Sequence, residues 1–391
     1  MIYLDNNAST PLAPEAWSAM EEAAGEYGNP SSVHRSGQGA RRRIEEARGD
    51  IAALLGARPE EIVLTSGGTE SNALAIFGAC AGRSGRVVIS AVEHPSVREC
   101  ASRLASTGRF ELVEVPPDRD GRLDPGRVLD AVAPGTALVS IMAANNEYGG
   151  VFPIPALAAE VRRRGSVFHS DAVQAAGRMP IDARAWGVDL LSVSAHKVHG
   201  PKGIGALYVR GGVALEAHTP GGGQEKRLRA GTENTLGAVG FAAAARLAAA
   251  RQDSEVPRVS RLRNRLERGI RDRVPGSSVV GAGGPRLPNT SAVHFEGTPG
   301  ETLMIRLDLE GVAVSVGSAC SSGTVTASPA LLALGLPEHE ARCVVRFSLS
   351  RLTTDEEISR VLELLPRAVE DVRGAVAPTR SGLAAASGRA S

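Results

Sequence analysis

A lysine and an aspartate that each follow an apolar run of strand length are the residues of this chain best suited to chemistry. Lys197 ends the sequence Ser194-Ala195-His196-Lys197, and Asp171 lies earlier in the chain. A lysine amine forms a Schiff base with an aldehyde, and a carboxylate keeps the ring nitrogen of a pyridine cofactor protonated so that the ring accepts electrons. The pair therefore predicts a pyridoxal phosphate (PLP) site with Lys197 and Asp171 in these two roles.

A glycine-rich segment after another predicted strand offers a place for the cofactor's phosphate. Gly68 and Thr69 lie between that strand and a predicted helix, where backbone N–H groups and hydroxyls bind anions. We expect these two residues to contact the phosphate, and Ser194 and His196 to contribute further contacts to it or to the ring. In isolation, the same segment is also typical of an ordinary N-capped helix start.

Four further polar residues are candidates for the site. His94 follows a strand and could lie flat on the cofactor ring and exchange protons with the substrate. Asn146 could bind the cofactor's phenolic oxygen or a substrate carboxylate, and Gln174 is placed for the phenolic oxygen. Arg346 lies in an apolar run, where a charge is costly unless it is paired, and a bidentate carboxylate would pair it. Taken singly, His94 is also typical of a helix start and Asn146 of a turn.

Cys320 is the candidate nucleophile. Cysteine is usually buried, yet this one lies in a run of Gly, Ser and Thr that predicts an exposed loop. Such a thiol is either reactive or without a role. Cys80, Cys100 and Cys343 lie in helical or strand patterns and are interpreted as structural. The four cysteines show no Cys-x-x-Cys pair, so we expect no metal site and no disulfide framework, but reduced thiols in a cytoplasm.

A second glycine-rich loop begins at Gly221 and includes Thr232 before the chain returns to a helix. In a dimer whose active sites lie at the interface, this loop could reach the neighbouring subunit and bring Thr232 to its phosphate. The alternative is a flexible surface loop.

The elements that would position these residues alternate between strand and helix. This alternation predicts an α/β fold with a mostly parallel, buried sheet, whose strand ends bring the candidates together. The predicted strands cover residues 61–65, 86–90, 137–141, 167–169, 190–193 and 206–209, and the predicted helices cover 40–55, 70–79, 95–106, 125–131 and 155–164.

The chain is long enough for two domains. We expect a large PLP-binding domain of residues 15–255 and a smaller α+β domain of residues 1–14 and 256–375. The polar residues 253–257 are interpreted as a linker that precedes a basic helix. Residues 376–391 are rich in Ala, Gly, Ser and Arg, and we expect them to form a disordered tail.

Charge and hydropathy exclude several classes of partner. Lys and Arg number 44 against 43 Asp and Glu, for a formal net charge of +1, so no overall field recruits nucleic acid or an anionic membrane. Clusters of arginine are interpreted as solvated helix faces. No run approaches the roughly 20 apolar residues of a membrane helix, and the N-terminus lacks the pattern of a signal peptide. A small-molecule substrate is therefore expected.

Taken in order, these motifs resemble the cysteine desulfurases of the class V aminotransferase group, within the fold-type I PLP enzymes. The loop after residue 317 has the longer form of the NifS/IscS-like class. Departures from the family pattern are Ala195, Val316 and Arg227. The matching segments are residues 3–10, 28–34, 65–71, 93–94, 145–147, 171–174, 196–197, 200–203, 221–225, 317–320 and 346–349.

The resemblance implies a role for each candidate. Lys197 would be the Schiff-base lysine and also the base, Asp171 the partner of the ring nitrogen, and His94 the stacking acid and base. L-cysteine would become L-alanine while Cys320 takes the sulfur as a persulfide and passes it to an acceptor protein, either a scaffold or a sulfur carrier. The enzyme would be a homodimer with active sites at the interface. The phenolic oxygen would contact Gln174, the substrate carboxylate Asn146 and Arg346, and the phosphate Gly68, Thr69, Ser194, His196 and the partner's Thr232.

Two classes of alternative remain open. One keeps PLP and changes the substrate, as in a selenocysteine lyase or another class V aminotransferase-like enzyme such as a kynureninase relative. The other keeps only the fold, as a sulfur-carrier or regulatory platform without turnover. The joint presence of Lys197, Asp171, His94 and Cys320 speaks against the second class.

Overall fold

The computed structural model of the chain describes residues 1–317 and 327–376. Its elements alternate between strand and helix over the first two thirds of the sequence, as predicted. In chain order they are β1 (Ile2–Tyr3), α1 (Pro14–Ala23), α2 (Arg35–Leu54), β2 (Ile62–Thr65), α3 (Gly68–Cys80), β3 (Gly85–Ser90), α4 (Pro95–Ser106), β4 (Phe110–Val115), α5 (Pro125–Ala131), β5 (Thr136–Ser140), α6 (Ile154–Arg163), β6 (Val167–Asp171), α7 (Ala183–Trp186), β7 (Leu190–Ser194), β8 (Gly205–Val209), α8 (Thr235–Arg273), β9 (Ser277–Val279), β10 (Thr290–Phe295), α9 (Gly300–Leu309), β11 (Val312–Ala313), β12 (Ser315–Val316), α10 (Pro329–Ala333), α11 (Glu338–Ala341), β13 (Val344–Ser348) and α12 (Asp355–Val376).

A seven-stranded sheet forms the centre of the fold, in the order β2-β8-β7-β6-β5-β3-β4. β8 runs antiparallel to both of its neighbours, β2 and β7, and the other pairs of the sheet are parallel, which confirms the expected α/β fold with a mostly parallel sheet. Neighbouring residues of one strand, such as Val87 and Val88, belong to different hydrophobic clusters. Because successive side chains of a strand point to opposite faces, the sheet is covered by apolar packing on both sides.

The edge strand β4 was missed by the sequence interpretation. Its sequence contains Glu111 and Glu114, and its middle residues are only partly buried. The two glutamates interrupt the continuous apolar run that marks the fully buried strands of the sheet.

A separate hydrophobic cluster lies outside the large sheet. It contains Leu4 and residues between Val259 and Val372, and it packs around a four-stranded antiparallel sheet in the order β12-β13-β10-β9. The short strand β1 pairs with β11 beside it. The N-terminal strand therefore lies beside the C-terminal part of the same chain.

The linker expected at residues 253–257 is wrong. Helix α8 runs through this segment without a break, with Pro257 inside it. A proline within a helix removes one backbone hydrogen bond and costs about 3 kcal/mol. Here the helix is buried on both sides of the proline, at residues such as Ala245 and Leu262, and this packing outweighs the local cost.

Two expectations fall on segments that lie outside the described residues. Cys320 lies within residues 318–326, and the tail expected to be disordered lies almost wholly within residues 377–391. Within the described ranges, no helix combines the length and the apolar character needed to span a membrane.

Candidate active site

The carboxyl ends of the central strands surround a cavity of about 210 Å³. Polar residues that end or follow β5, β6 and β7 meet there with residues at the starts of α3 and α4, as expected for a parallel sheet. The residues that line it are Gly68, Thr69, Asn72, His94, Ser96, Met142, Asn146, Asp171, Val173, Gln174, Ser194, His196 and Lys197.

Lys197 lies in a single 3₁₀ turn directly after β7. Its Nζ donates hydrogen bonds to the carbonyl oxygens of Asn7, at 2.5 Å, and Ala8, at 2.8 Å. Burial lowers the pKa of Lys197 to about 7, and the positive charges of Arg178 and Arg346 act in the same direction. A substantial fraction of this amine is therefore unprotonated at neutral pH, as a nucleophilic lysine requires.

Asp171 is the last residue of β6 and is only 5% exposed. Its Oδ1 accepts a hydrogen bond from the backbone N–H of Val173 at 2.9 Å, and its Oδ2 accepts one from Asn72 Nδ2 at 2.7 Å. These two donors, one to each carboxylate oxygen, fix the orientation of the carboxylate at the wall of the cavity.

Asn72 was not identified from the sequence, although it touches Asp171. It also donates to Ser96 Oγ at 2.9 Å, which joins α3 to the start of α4. A signal was present, since Asn72 follows Thr69 by three residues and therefore lies on the same face of α3.

His94 is the N-cap residue of α4. Its Nδ1 accepts the backbone N–H of Ser96 at 3.1 Å and lies 2.8 Å from Ser96 Oγ. Burial lowers the pKa of His94, and Lys197 adds to this effect while Asp171 opposes it. The ring is therefore neutral near pH 7 and carries its proton on Nε2, which leaves Nε2 as the atom that can exchange a proton.

The start of α3 forms one end of the cavity. The first N–H groups of a helix have no intrahelical acceptor, and Thr69, Ser194 and His196 add side-chain groups beside them. A Cβ on Gly68 would lie 2.8 Å from Val173 Cγ2, so only glycine fits there without a shift. Burial and nearby cations lower the pKa of His196 to about 4. This donor set suits a phosphate group.

Gln174 extends the wall on the other side of Asp171. Its Nε2 donates to the carbonyl oxygen of Asn7 at 3.0 Å, and its Oε1 accepts a hydrogen bond from Arg178. Arg178 was not identified from the sequence, although it follows Gln174 by four residues and so lies within reach of it.

Arg346 does not line the cavity, although it adjoins it. The guanidinium donates to Asp5 Oδ1 at 2.6 Å and to the carbonyl oxygen of Asn146 at 2.9 Å. Its Nε is buried and has no hydrogen-bond partner among the described residues. The charge that looked costly in an apolar strand is therefore paired by Asp5, a residue to which the sequence interpretation gave no role.

The loop with Thr232 is anchored by a buried ion pair. Both guanidinium nitrogens Nη1 and Nη2 of Arg48 bind Glu225 at 2.8 Å, and Glu225 also accepts the backbone N–H of Leu64 at 2.8 Å. Glu225, Lys226 and Arg227 have φ angles of 43°, 58° and 64°, in the left-handed region that is unfavourable for residues other than glycine.

Thr232 itself is exposed and does not line the cavity of its own chain. Nine predicted site residues thus meet in one place, while Arg346 adjoins it, Thr232 lies elsewhere, and Cys320 is outside the described residues.

Comparison with known proteins gives relatives over nearly the whole chain. The family model for aminotransferase class-V matches residues 2–361. A cysteine desulfurase of Sinorhizobium fredii is 46% identical over 95% of this chain and 97% of its own length. The match to a solved NifS-like protein has a TM-score of 0.88 at 33% identity and covers 95% of this chain and 99% of the other. The match to a structure of SspA in complex with cysteine has a TM-score of 0.80 at 34% identity and covers 90% of this chain and 100% of the other. The chain therefore belongs to the class-V aminotransferase family and, within it, to the cysteine desulfurases.

Proposed function

We propose that the protein is a PLP-dependent enzyme that converts L-cysteine to L-alanine and transfers the sulfur to Cys320 as a persulfide. The observation that carries the proposal is the single cavity in which a lysine of lowered pKa, Lys197, faces a fixed carboxylate, Asp171, beside a neutral imidazole, His94. A relative of similar fold has been solved in complex with cysteine, which supports the choice of substrate.

The residues present fit PLP. Thr69, Ser194 and His196 bring side-chain polar groups to the cavity end at the start of α3, where a phosphate could bind, and the buried carboxylate of Asp171 can hold a proton on a ring nitrogen. When bound, PLP supplies an electrophilic aldehyde and a cationic ring that withdraws electrons from the substrate's Cα. Gly68, Thr69, Ser194 and His196 would hold its phosphate.

Lys197 has two tasks in this proposal. Its Nζ would hold the cofactor covalently, and the amine, once free, would remove the Cα proton of L-cysteine. A pKa of about 7 suits both tasks, since a base works best when its pKa is close to the working pH. Asn146 and Arg346 would bind the substrate carboxylate, with Arg346 exchanging part of its contact with Asp5.

The sulfur step follows from the chemistry of a thiolate. The Cys320 thiolate attacks the sulfur of the bound substrate, so that an S–S bond forms and the substrate's Cβ–S bond breaks. The electron pair of that bond remains with the carbon fragment, which takes up protons and leaves as L-alanine. His94 Nε2 would exchange protons with the Cys320 thiol and with the carbon fragment that becomes L-alanine.

A homodimer would complete the site. Large apolar side chains are exposed at Trp17, Tyr27 and Val33, with exposed fractions of 58%, 89% and 88%. We propose that a dimer contact covers these side chains and that Thr232 reaches the phosphate of the other subunit. Light scattering tests the dimer. Mixing Thr232→Ala chains with Lys197→Ala chains tests the shared site, because only mixed dimers would contain one intact site.

The persulfide would be passed to an acceptor protein in the cytoplasm, either a cluster-assembly scaffold or a sulfur carrier. A thiolate of the acceptor would attack the outer sulfur of the Cys320 persulfide, so that the persulfide forms on the acceptor and the Cys320 thiolate is returned.

Turnover of L-cysteine tests the function. The wild-type protein should release equal amounts of alanine and sulfide in the presence of a thiol reductant. The Cys320→Ala variant should bind L-cysteine and change its absorbance but release no sulfide, and Lys197→Ala should lose the absorbance of the covalently bound cofactor. Steady sulfide release by Cys320→Ala would refute the role of Cys320. Selenocysteine and kynurenine, offered in parallel, would reveal a different substrate preference.

A further inference from the structure

We propose that Arg178 is a positioning residue of this site, which fixes the amide of Gln174 and the backbone of Lys197 and supplies an unpaired positive charge behind the lysine. The proposal rests on the function proposed above. It concerns a residue that contacts the groups expected to touch the cofactor, and does not itself line the cavity.

The guanidinium of Arg178 joins three separate segments. Its Nη1 donates to the carbonyl oxygen of Gln174 at 3.2 Å and to Gln174 Oε1. Its Nη2 donates to the carbonyl oxygens of Asn6, at 3.1 Å, and Lys197, at 3.4 Å. All four hydrogens of these two nitrogens are used, so one rigid side chain ties the N-terminal segment, the turn after β6 and the turn after β7 together.

These contacts determine which end of the Gln174 amide serves as a donor. The two ends of an amide have nearly the same shape, and only their hydrogen-bond partners distinguish them. Because Arg178 can only donate, Oε1 must face Arg178, and Nε2 is left to donate on the other side, where it now binds the carbonyl oxygen of Asn7. The same oxygen accepts from Lys197 Nζ. A donor is what an anionic phenolic oxygen of the cofactor would need at this place.

The charge of Arg178 acts on Lys197. All four acceptors of Arg178 are uncharged oxygens, and within residues 1–317 and 327–376 no carboxylate forms a salt bridge with it. A cation without a counter-ion in a buried site disfavours a second positive charge nearby. After burial, Arg178 is the largest of the influences that lower the pKa of Lys197.

Two substitutions separate the two effects. Arg178→Met removes both the hydrogen bonds and the charge. Arg178→Lys keeps the charge but loses the planar fork that binds several acceptors at once. Arg263→Met is the matched control, because Arg263 is also half-buried and also donates to a backbone carbonyl, that of Leu287, in a distant part of the structure.

The first test measures the amine of Lys197 in the apoprotein, where no turnover is needed. Sodium cyanate carbamylates unprotonated amines, and peptide mass spectrometry gives the rate at Lys197 as a function of pH, with exposed Lys202 as an internal reference. We expect Arg178→Met to react about fivefold more slowly than wild type at pH 7, which corresponds to a rise of about one unit in the pKa of Lys197. Arg178→Lys and Arg263→Met should resemble wild type. An unchanged rate profile in Arg178→Met, or an equal slowing in Arg178→Lys, would overturn the proposed charge effect.

The second test measures the release of PLP from the loaded protein. Arg178→Lys should release PLP faster than wild type because Gln174 is no longer fixed, and in a Gln174→Leu background the same substitution should add little. An equal effect in both backgrounds would overturn the positioning of Gln174. If Arg178→Met fails to fold, the cyanate profile of Arg178→Gln tests the charge effect. The Arg178→Lys substitution, measured with and without Gln174→Leu, tests the positioning of Gln174. A protein without desulfurase activity but with the expected cyanate profile would refute the proposed function and leave the role of Arg178 standing.

Discussion

Glu93, the residue before His94, should be a neutral carboxylic acid at pH 7. It is 4% exposed, and its Oε1 accepts hydrogen bonds from Ser90 Oγ at 2.6 Å and from the backbone N–H of Met142 at 2.7 Å. Its Oε2 is buried and has no partner within the part of the chain that the structure describes. Burial raises the pKa of Glu93 to about 8 from its ordinary value of 4.5, and the nearby negative charge of Asp171 acts in the same direction.

The sign of the effect on stability follows from this shift. The folded protein binds the proton of Glu93 more tightly than the unfolded chain does. The contribution of this proton to the free energy of unfolding is therefore complete below pH 4.5 and is lost as the pH rises through about 8. Between pH 6 and pH 9 the loss amounts to about 3 kcal/mol. Glu93→Gln resembles the protonated acid and keeps an acceptor for both donors, so it should be close to wild type at pH 6 and more stable at pH 9.

Thermal unfolding of the apoprotein at the two pH values measures the difference. For a chain of 391 residues that unfolds as a unit, about 3 kcal/mol corresponds to a shift of about 4 °C in Tm. Glu61→Gln is the control, because the hydrogen bonds and charge of Arg58 outweigh burial and lower the pKa of Glu61, so that its effect should be the same at both pH values. If the difference in Tm between Glu93→Gln and wild type is the same at pH 6 and at pH 9, the reasoning is refuted.

Two further predictions concern the loop that precedes Thr232. Arg227→Gly should stabilise the protein by about 1–2 kcal/mol, because it removes the strain of the left-handed backbone. The control Arg119→Gly lies in an exposed turn without a positive φ and should destabilise the protein by about 0.4–1 kcal/mol. Equal Tm changes in the two variants would contradict this prediction. Arg48→Met should cost about 3–5 kcal/mol because it leaves the Glu225 carboxylate buried and unpaired, and the double variant with Glu225→Gln should cost less. A double variant that is less stable than Arg48→Met would show that the hydrogen bonds of Glu225 matter more than the isolated charge.

The sequence was sufficient to predict the central sheet and most of the cavity, because both depend on local patterns. Buried parallel strands are continuous apolar runs, and the polar residues that follow them must meet at one edge of the sheet. Lys197, Asp171 and His94 were found in this way. Strand β4 lacked the pattern because Glu111 and Glu114 interrupt its apolar run.

What the sequence did not reveal depends on partners that are distant in the chain. The pairing of Arg346 with Asp5 joins opposite ends of the sequence, and nothing local indicates it. The linker prediction at residues 253–257 failed for a related reason, since tertiary packing on both sides of Pro257 overrides the local cost of a proline. The division into domains at 255/256 stays a prediction, and it now falls inside α8.

The most direct test of the central claim is mass spectrometry of the purified protein after addition of L-cysteine. The account predicts PLP on the Lys197 peptide after borohydride reduction, and one additional sulfur on the Cys320 peptide that is absent in Lys197→Ala. Alanine formation with the added sulfur on Cys80, Cys100 or Cys343, or with no sulfur on the protein at all, would contradict it.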